Sequence, residues 1–219
     1  MTPVFISYEL KAKVPDLRLS CIESEVSIQD GNENLWNIIN EKTEEVASSI
    51  RMEQISQLPA IAASRLGYKI CGKDPARYRL SAEALLRRTV QGKRLYRVNN
   101  VVDLLNLVSI STGFSIGGYD AEKIKGPVEF GIGRKNEPYE GIGRGELNIE
   151  FLPVFRDKCG AFGTPTSDSE RTAVTQATKR FLMIIIDFGT PQLLDKADIL
   201  AENLLQKFAE ARNLNIWRI

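Results

Sequence analysis

Histidine is absent from the 219 residues. Imidazole is the usual general base at neutral pH and a common metal ligand, so its absence excludes Ser-His-Asp and Cys-His hydrolases and His-based zinc sites. Cysteine is scarce. Cys21, Cys71 and Cys159 form no C-x-x-C pair and are odd in number, which argues against a disulfide framework and points to a reducing, cytoplasmic setting. Long apolar runs are missing too: FLMIII at 181–186 falls far below membrane-spanning length. The opening MTPVFISYELKAK lacks the basic and then apolar pattern of a signal peptide, so no membrane role is expected. Nor does one sign of charge dominate. The 29 Lys+Arg stand against 28 Asp+Glu, which argues against a general nucleic-acid sponge.

What remains is 43% hydrophobic and 26% charged, the composition of one globular domain or two small ones. A chain of this length exposes on the order of 10,000 Å² folded against roughly 35,000 Å² unfolded, enough burial for a core without disulfides or metals. Apolar spacing predicts a helix near 33–49, with Leu35, Ile38, Ile39 and Val46 on one side, and a second at about 52–66. Ser81 followed by AEALLRR reads as an N-capped helix, with Glu83 at its positive end and arginines at the other. From about 128 to 188 short extended runs alternate with turn residues and ending in RFLMIIIDF, which reads as the sheet. A helix over about 192–212 follows, with Ala197, Ala201, Leu204 and Phe208 on one face, before a short NIWRI tail. Strands in a block flanked by helices predict an α+β fold with a mainly antiparallel sheet. We expect one domain over 1–219, with residues 1–75 an N-terminal α/β extension packed on it.

Residues 77–97 hold seven Lys/Arg and one acid, Glu83, with Tyr78 and Tyr96 interleaved. This patch is either a phosphate-backbone contact or a solvated helix face. GIGR occurs at 131–134 and again at 141–144, in neither case inside a complete nucleotide-binding motif. The expected arrangement is a hairpin whose arms each carry Gly-x-Gly where another backbone approaches, with Arg134 and Arg144 projecting from neighbouring strands toward phosphate or plain solvent.

Three segments carry the candidate chemistry. RVNNVVDLLNLVSISTG at 97–113 is apolar almost all round, as in a buried helix, yet Asn99, Asp103 and Asn106 form one polar stripe. Buried amides and carboxylates are costly unless paired, so the stripe should line a cleft or a polar network, or Asp103 caps neighbouring backbone. GAFGTPTSDSERTAVT at 160–175 has the composition of a binding loop. Asp168 and Ser169 can cap its turn, its backbone N–H groups can face an anion, and Glu170 can orient a water. In SIGGYDAEKIKG at 115–126, Gly117 and Gly118 let backbone approach a ligand or a strand.

In this order RxNNxVDLxNxxSxxTG, xIGGYDxxKIxG and GxFGTPTSDSERTxVTxxTK resemble the B3/B4 domain of the β subunit of bacterial phenylalanyl-tRNA synthetase, and its free-standing relatives most closely. The likeness covers about 77–188. It implies a B3/B4-like fold and an editing activity, since the synthetase domain hydrolyses the ester of tyrosine on phenylalanine tRNA and free-standing members deacylate other mischarged tRNAs. It implies Asn106 and Asp103 on the site helix and Glu170 as the editing-loop glutamate, the residue expected to position water. The family's histidine has no counterpart here. Gly117 stands in the matching segment, which should open the pocket and forbids carrying over tyrosine specificity.

An aminoacyl-tRNA ester is activated by its neighbouring ribose hydroxyl, so hydrolysis needs mainly a placed water and oxyanion stabilisation. The resemblance thus implies Glu170 as the catalytic residue and Asn99, Asp103, Asn106, Gly117, Gly118, Phe162, Gly163, Thr164, Ser167, Asp168 and Thr172 around the substrate. Either Asp103 or Asp168 would pair with an ammonium or a cationic side chain. Arg87, Arg88, Lys93, Arg134 and Arg144 are the expected tRNA contacts. No cofactor, metal, membrane or DNA is called for. The partners would be aminoacylated tRNA and, transiently, an aminoacyl-tRNA synthetase. The alternative is a non-catalytic module that binds tRNA or an amino acid beside a synthetase.

Overall fold

A computed structural model describes residues 1–219. In chain order the elements are β1 (Val4–Ile6), α1 (Tyr8–Lys13), β2 (Arg18–Glu25), α2 (Glu33–Ser49), α3 (Pro59–Cys71), α4 (Ser81–Val90) and α5 (Asn100–Thr112). They continue with β3 (Ser115–Asp120), β4 (Val128–Ile132), β5 (Glu140–Gly141), β6 (Gly145–Glu146), β7 (Pro153–Asp157), β8 (Gly160–Gly163), β9 (Arg180–Asp187), α6 (Pro191–Phe208) and β10 (Arg212–Arg218).

β9, RFLMIIID, is a run of apolar and β-branched residues buried beyond its first position. A strand covered on both faces reads as such a run rather than as an alternation. It lies inside a sheet ordered β10-β2-β9-β3, antiparallel throughout. The second sheet runs β1-β4-β7-β8 and is antiparallel except where β1 pairs parallel with β4. Aromatic rings join the two sheets. The Tyr119 ring of β3 meets Phe162 of β8 edge-on at 4.9 Å and Phe155 of β7 at 6.0 Å, and Phe155 stacks on Phe130 of β4 at 4.2 Å. Such pairs add about 0.5–1.5 kcal/mol each beyond their burial. The fold is α+β with a mainly antiparallel sheet, and its exposed area of 10324 Å² meets the expected scale. No helix is long and apolar enough to cross a membrane.

Several boundaries differ from the sequence reading, each for a local reason. The second helix starts only at Pro59, because proline is suited to a first helical turn and not to an interior; Ile55–Gln57 before it is a short 3₁₀ turn. Ser81 is the first residue of α4 rather than its cap, and Leu80 in the cap position offers no side-chain acceptor. Residues 1–75 contribute strands to both sheets. They supply β2, an interior strand between β10 and β9, and β1, an edge of the other sheet. The NIWRI tail, but for Ile219, is the end of β10. The two GIGR copies are not paired arms: Gly131 and Ile132 lie in β4, whereas Gly141 to Arg144 form the tip of the β5–β6 ribbon. The close backbone approach exists, but its partner is the 149–152 segment, since a Cβ on Gly133 would sit 1.9 Å from the Ile149 carbonyl oxygen.

α5 is the buried helix its sequence suggests, ended by Gly113 at φ +81°. The two asparagines at its start divide the work. Asn99 caps the helix by accepting from Val102 N–H at 3.0 Å. Asn100, fully buried, donates to the carbonyls of Ser27 and Phe208, both at 2.8 Å, and accepts from Gln29 N–H at 2.9 Å. One amide thereby ties the start of α5 to the exit of β2 and the end of α6.

Candidate active site

Five parts of the chain enclose a cavity of about 600 Å³. Ser81 and Leu85 of α4, Val98 before α5, and Val102, Leu105, Asn106 and Ser109 of α5 form one side. Ile116 and Gly118 of β3 form the back, while Ile142 of the β5–β6 ribbon and residues of the 164–175 loop form the rim. Asp168 and Glu170 are the lining residues that carry charge.

The loop is rigid by construction. Thr164 Oγ1 accepts from the N–H groups of Thr166 at 3.1 Å and Ser167 at 2.9 Å and donates to the Ser167 carbonyl at 2.8 Å. The Tyr68 hydroxyl meets Thr166 Oγ1 at 2.9 Å, and the Tyr139 hydroxyl donates to the Ser167 carbonyl at 2.6 Å. Ser169 N–H donates to the Phe162 carbonyl at 2.8 Å, and its Oγ accepts from Arg171 N–H at 3.3 Å. The N–H groups of Thr166, Ser167 and Ser169 are therefore committed within the protein.

Asp168 is set by its neighbours. The Tyr119 hydroxyl donates to its Oδ1 at 2.9 Å, yet burial dominates and pushes the carboxyl up to about 7, with Tyr119 and the backbone at Gly118 and Thr164 pulling the other way. No lysine or arginine pairs with it. Burial and the facing carboxylate raise the Tyr119 phenol well above its ordinary value, which keeps it a donor. Space for that phenol comes from two glycines: a Cβ on Gly117 would lie 2.1 Å from the Tyr119 oxygen and one on Gly163 2.2 Å.

Glu170 is exposed at the cavity mouth, the first residue of a 3₁₀ turn, Glu170–Thr172. The next residue anchors it. Arg171 forks onto Asp157 at 2.9 and 3.0 Å and reaches the Gly160 carbonyl at 3.1 Å. Burial would raise the Asp157 carboxyl, but Arg171 and the N–H groups of Lys125 and Cys159 hold it below its ordinary value.

Asn106, Gly118, Thr164, Ser167, Asp168 and Glu170 thus converge on the cavity, and the six other expected ligand residues do not. Asp103 accepts from Trp36 Nε1 at 2.8 Å and Val98 N–H at 3.0 Å, turned from the cavity with its carboxyl raised by burial. The stripe therefore splits, because Asn99 and Asp103 serve backbone while Asn106 lines the wall. Gly117 opens no pocket, since the Tyr119 hydroxyl fills the space. Phe162 and Gly163 belong to the packing around Tyr119, and Thr172 is buried with its hydroxyl unpartnered. Tyr119 itself was missed, although a tyrosine two residues after a glycine on one strand face was the available signal.

The cationic residues also separate. Arg87 pairs with buried Glu83 at 3.0 Å, which takes Arg65 as well at 2.7 Å. Arg88 lies over Tyr96, Lys93 is exposed, Arg134 sits on the turn after β4, and Arg144 sits beside Ile142 on the ribbon. A second cavity of about 610 Å³ lies behind this patch, between α2 and residues 94–97.

Residues 63–197 match the B3/4 domain family. A crystal structure of an N-terminal fragment of the phenylalanyl-tRNA synthetase β subunit from Pyrococcus horikoshii has the same fold, with a TM-score of 0.52 at 16% identity. The match covers 100% of this chain and 53% of that one, so the chain spans about half the fragment's length. No curated protein matches it.

Proposed function

The chain belongs to the B3/4 domain family, and from that premise we propose that it acts in trans on tRNA, hydrolysing the ester of a wrongly attached amino acid. The observation that carries this reading is the pair of carboxylates, Asp168 and Glu170, in a cavity whose other lining residues are uncharged. An aminoacyl ester brings an ammonium group and an electrophilic carbonyl, and the two acids match those two demands. Asp168, with no cation of its own, takes the ammonium, and contact with that charge favours its ionised form. Glu170 at the mouth accepts a proton from water as the water oxygen adds to the ester carbon. The proton passes to the ribose oxygen when the carbon–oxygen bond breaks, leaving free amino acid and intact tRNA. Asn106 and the apolar wall of Leu105, Val102 and Ile116 hold the side chain. An aminoacyl-tRNA synthetase is the proposed source of the substrate and a transient partner.

Purified protein incubated with correctly and wrongly charged tRNAs should discharge one wrong species selectively, and Glu170→Gln should lower kcat at least about hundredfold with tRNA affinity unchanged. A variant as fast as the parent removes this role from Glu170. The committed N–H groups of Thr166, Ser167 and Ser169 favour a second reading, a non-catalytic tRNA- or amino-acid-binding module. Survival of every ester at the protein-free rate would select it.

A further inference from the structure

Tyr96 is 69% exposed on the segment between α4 and α5. The Arg88 guanidinium lies 4.0 Å from its ring centroid, and the Arg94 carbonyl fixes Arg88 by accepting from its Nε at 2.6 Å. This is a planar cation held on an aromatic ring in open solvent. The neighbouring Arg87 and Arg97 are offset by Glu83 and Glu33, but Arg88, Lys93 and Arg94 have no carboxylate partner, and no acid occurs from Ala84 to Asp103's predecessor Val102. The surface therefore offers a stacking face together with uncompensated positive charge.

Two walls of the catalytic cavity lead to it. Leu85 lines the cavity on α4, and Arg88 follows one turn later, a rise of about 4.5 Å. Val98 lines the cavity, and Tyr96 precedes it by two residues, at most about 7 Å of chain. The ring thus stands one nucleotide's reach from the mouth at which an esterified ribose would lie.

We propose that Tyr96 and Arg88 form a stacking platform for the unpaired 3′-terminal base of the RNA whose ester enters the cavity. The proposal rests on the tRNA reading above and names the contact through which the acceptor end is held. Phosphates of the same strand meet Lys93 and Arg94, and the base lies on the phenol face, a contact that the acceptor end shared by all tRNAs can make.

The test uses the full chain and two hairpin RNAs, one with a single-stranded 3′ ACCA end and one ending in ACC, with binding read by fluorescence anisotropy. The parent should bind the complete end about tenfold more tightly. Tyr96→Ala should lose that preference while Tyr96→Phe and Tyr96→Trp retain it, and on a charged tRNA Tyr96→Ala should raise KM with kcat kept. Equal binding of the two RNAs by the parent, no binding of either, or an undiminished preference in Tyr96→Ala overturns the platform; the first two outcomes are also what a protein-docking surface would give. A parent that prefers the complete end yet hydrolyses no ester sinks the hydrolytic reading alone. One that hydrolyses an ester while ignoring the terminal base sinks the platform alone.

Discussion

Tyr119 has room for its hydroxyl because Gly117 and Gly163 have no side chains, and that hydroxyl is the side-chain donor to Asp168, a carboxyl displaced toward neutrality. A methyl group at Gly117 must move the phenol, so Gly117→Ala should lower stability by about 1–3 kcal/mol in urea unfolding. Combined with Tyr119→Leu, which vacates the space, it should cost less than the sum of the two single changes, a coupling read from the double-mutant cycle. Tyr119→Phe keeps the packing and removes the donor. Because that hydrogen bond lowers the Asp168 pKa, its loss should move the carboxyl's titration upward from about 7, measurable by carbon-13 NMR of the labelled aspartates. For catalysis the sign is fixed by the proposed ammonium contact. If ionised Asp168 binds substrate, kcat/KM should rise with pH through about 7, and Asp168→Asn should be slow and without that rise.

At the scale of elements, α5 shows what patterning can and cannot tell. Its all-round apolar sequence announces burial, and the three-residue polar stripe announces that something unusual lies on it. Which polar residue faces solvent, backbone or cavity depends on partners far along the chain: Trp36 for Asp103, Ser27 and Phe208 for Asn100. Asn100→Ala would strand the carbonyls of Ser27 and Phe208 and the Gln29 N–H, and should cost about 3 kcal/mol or more in thermal or denaturant unfolding, whereas Asn106→Ala on the cavity wall should cost little stability and affect substrate binding. Strand β9 was legible because burial on both faces writes a continuous apolar run. Strands β2, β3 and β10 were not: β2 buries Ser20, Glu23 and Ser24, β3 carries two glycines where Tyr119, Leu105 and Phe181 press close, and β10 is a mostly exposed edge. Glu170 and Asp168 were legible as loop acids, but their ranking by depth comes from the turn closed by Thr164.

At the scale of the whole molecule, with no histidine in the chain, Asp168 is the carboxyl whose titration reaches neutral pH. Asp168 has a folded pKa of about 7, above its unfolded value near 3.9, so its stabilising contribution is complete below the unfolded value and is lost as pH rises through 7. From pH 5 to 7 this group alone should lower stability by up to about 1.4 kcal/mol per unit, and Asp168→Asn should flatten that part of a urea-unfolding pH series. The sheet order has a consequence in time as well. β2 pairs with β9, which starts at Arg180, and with β10, which starts at Arg212, so its neighbours do not exist while the long stretch between is being synthesised. During elongation the nascent polypeptide must carry a sticky, unpaired strand past the ribosome exit until both partners emerge, a window in which slow translation invites aggregation and a chaperone has most to do.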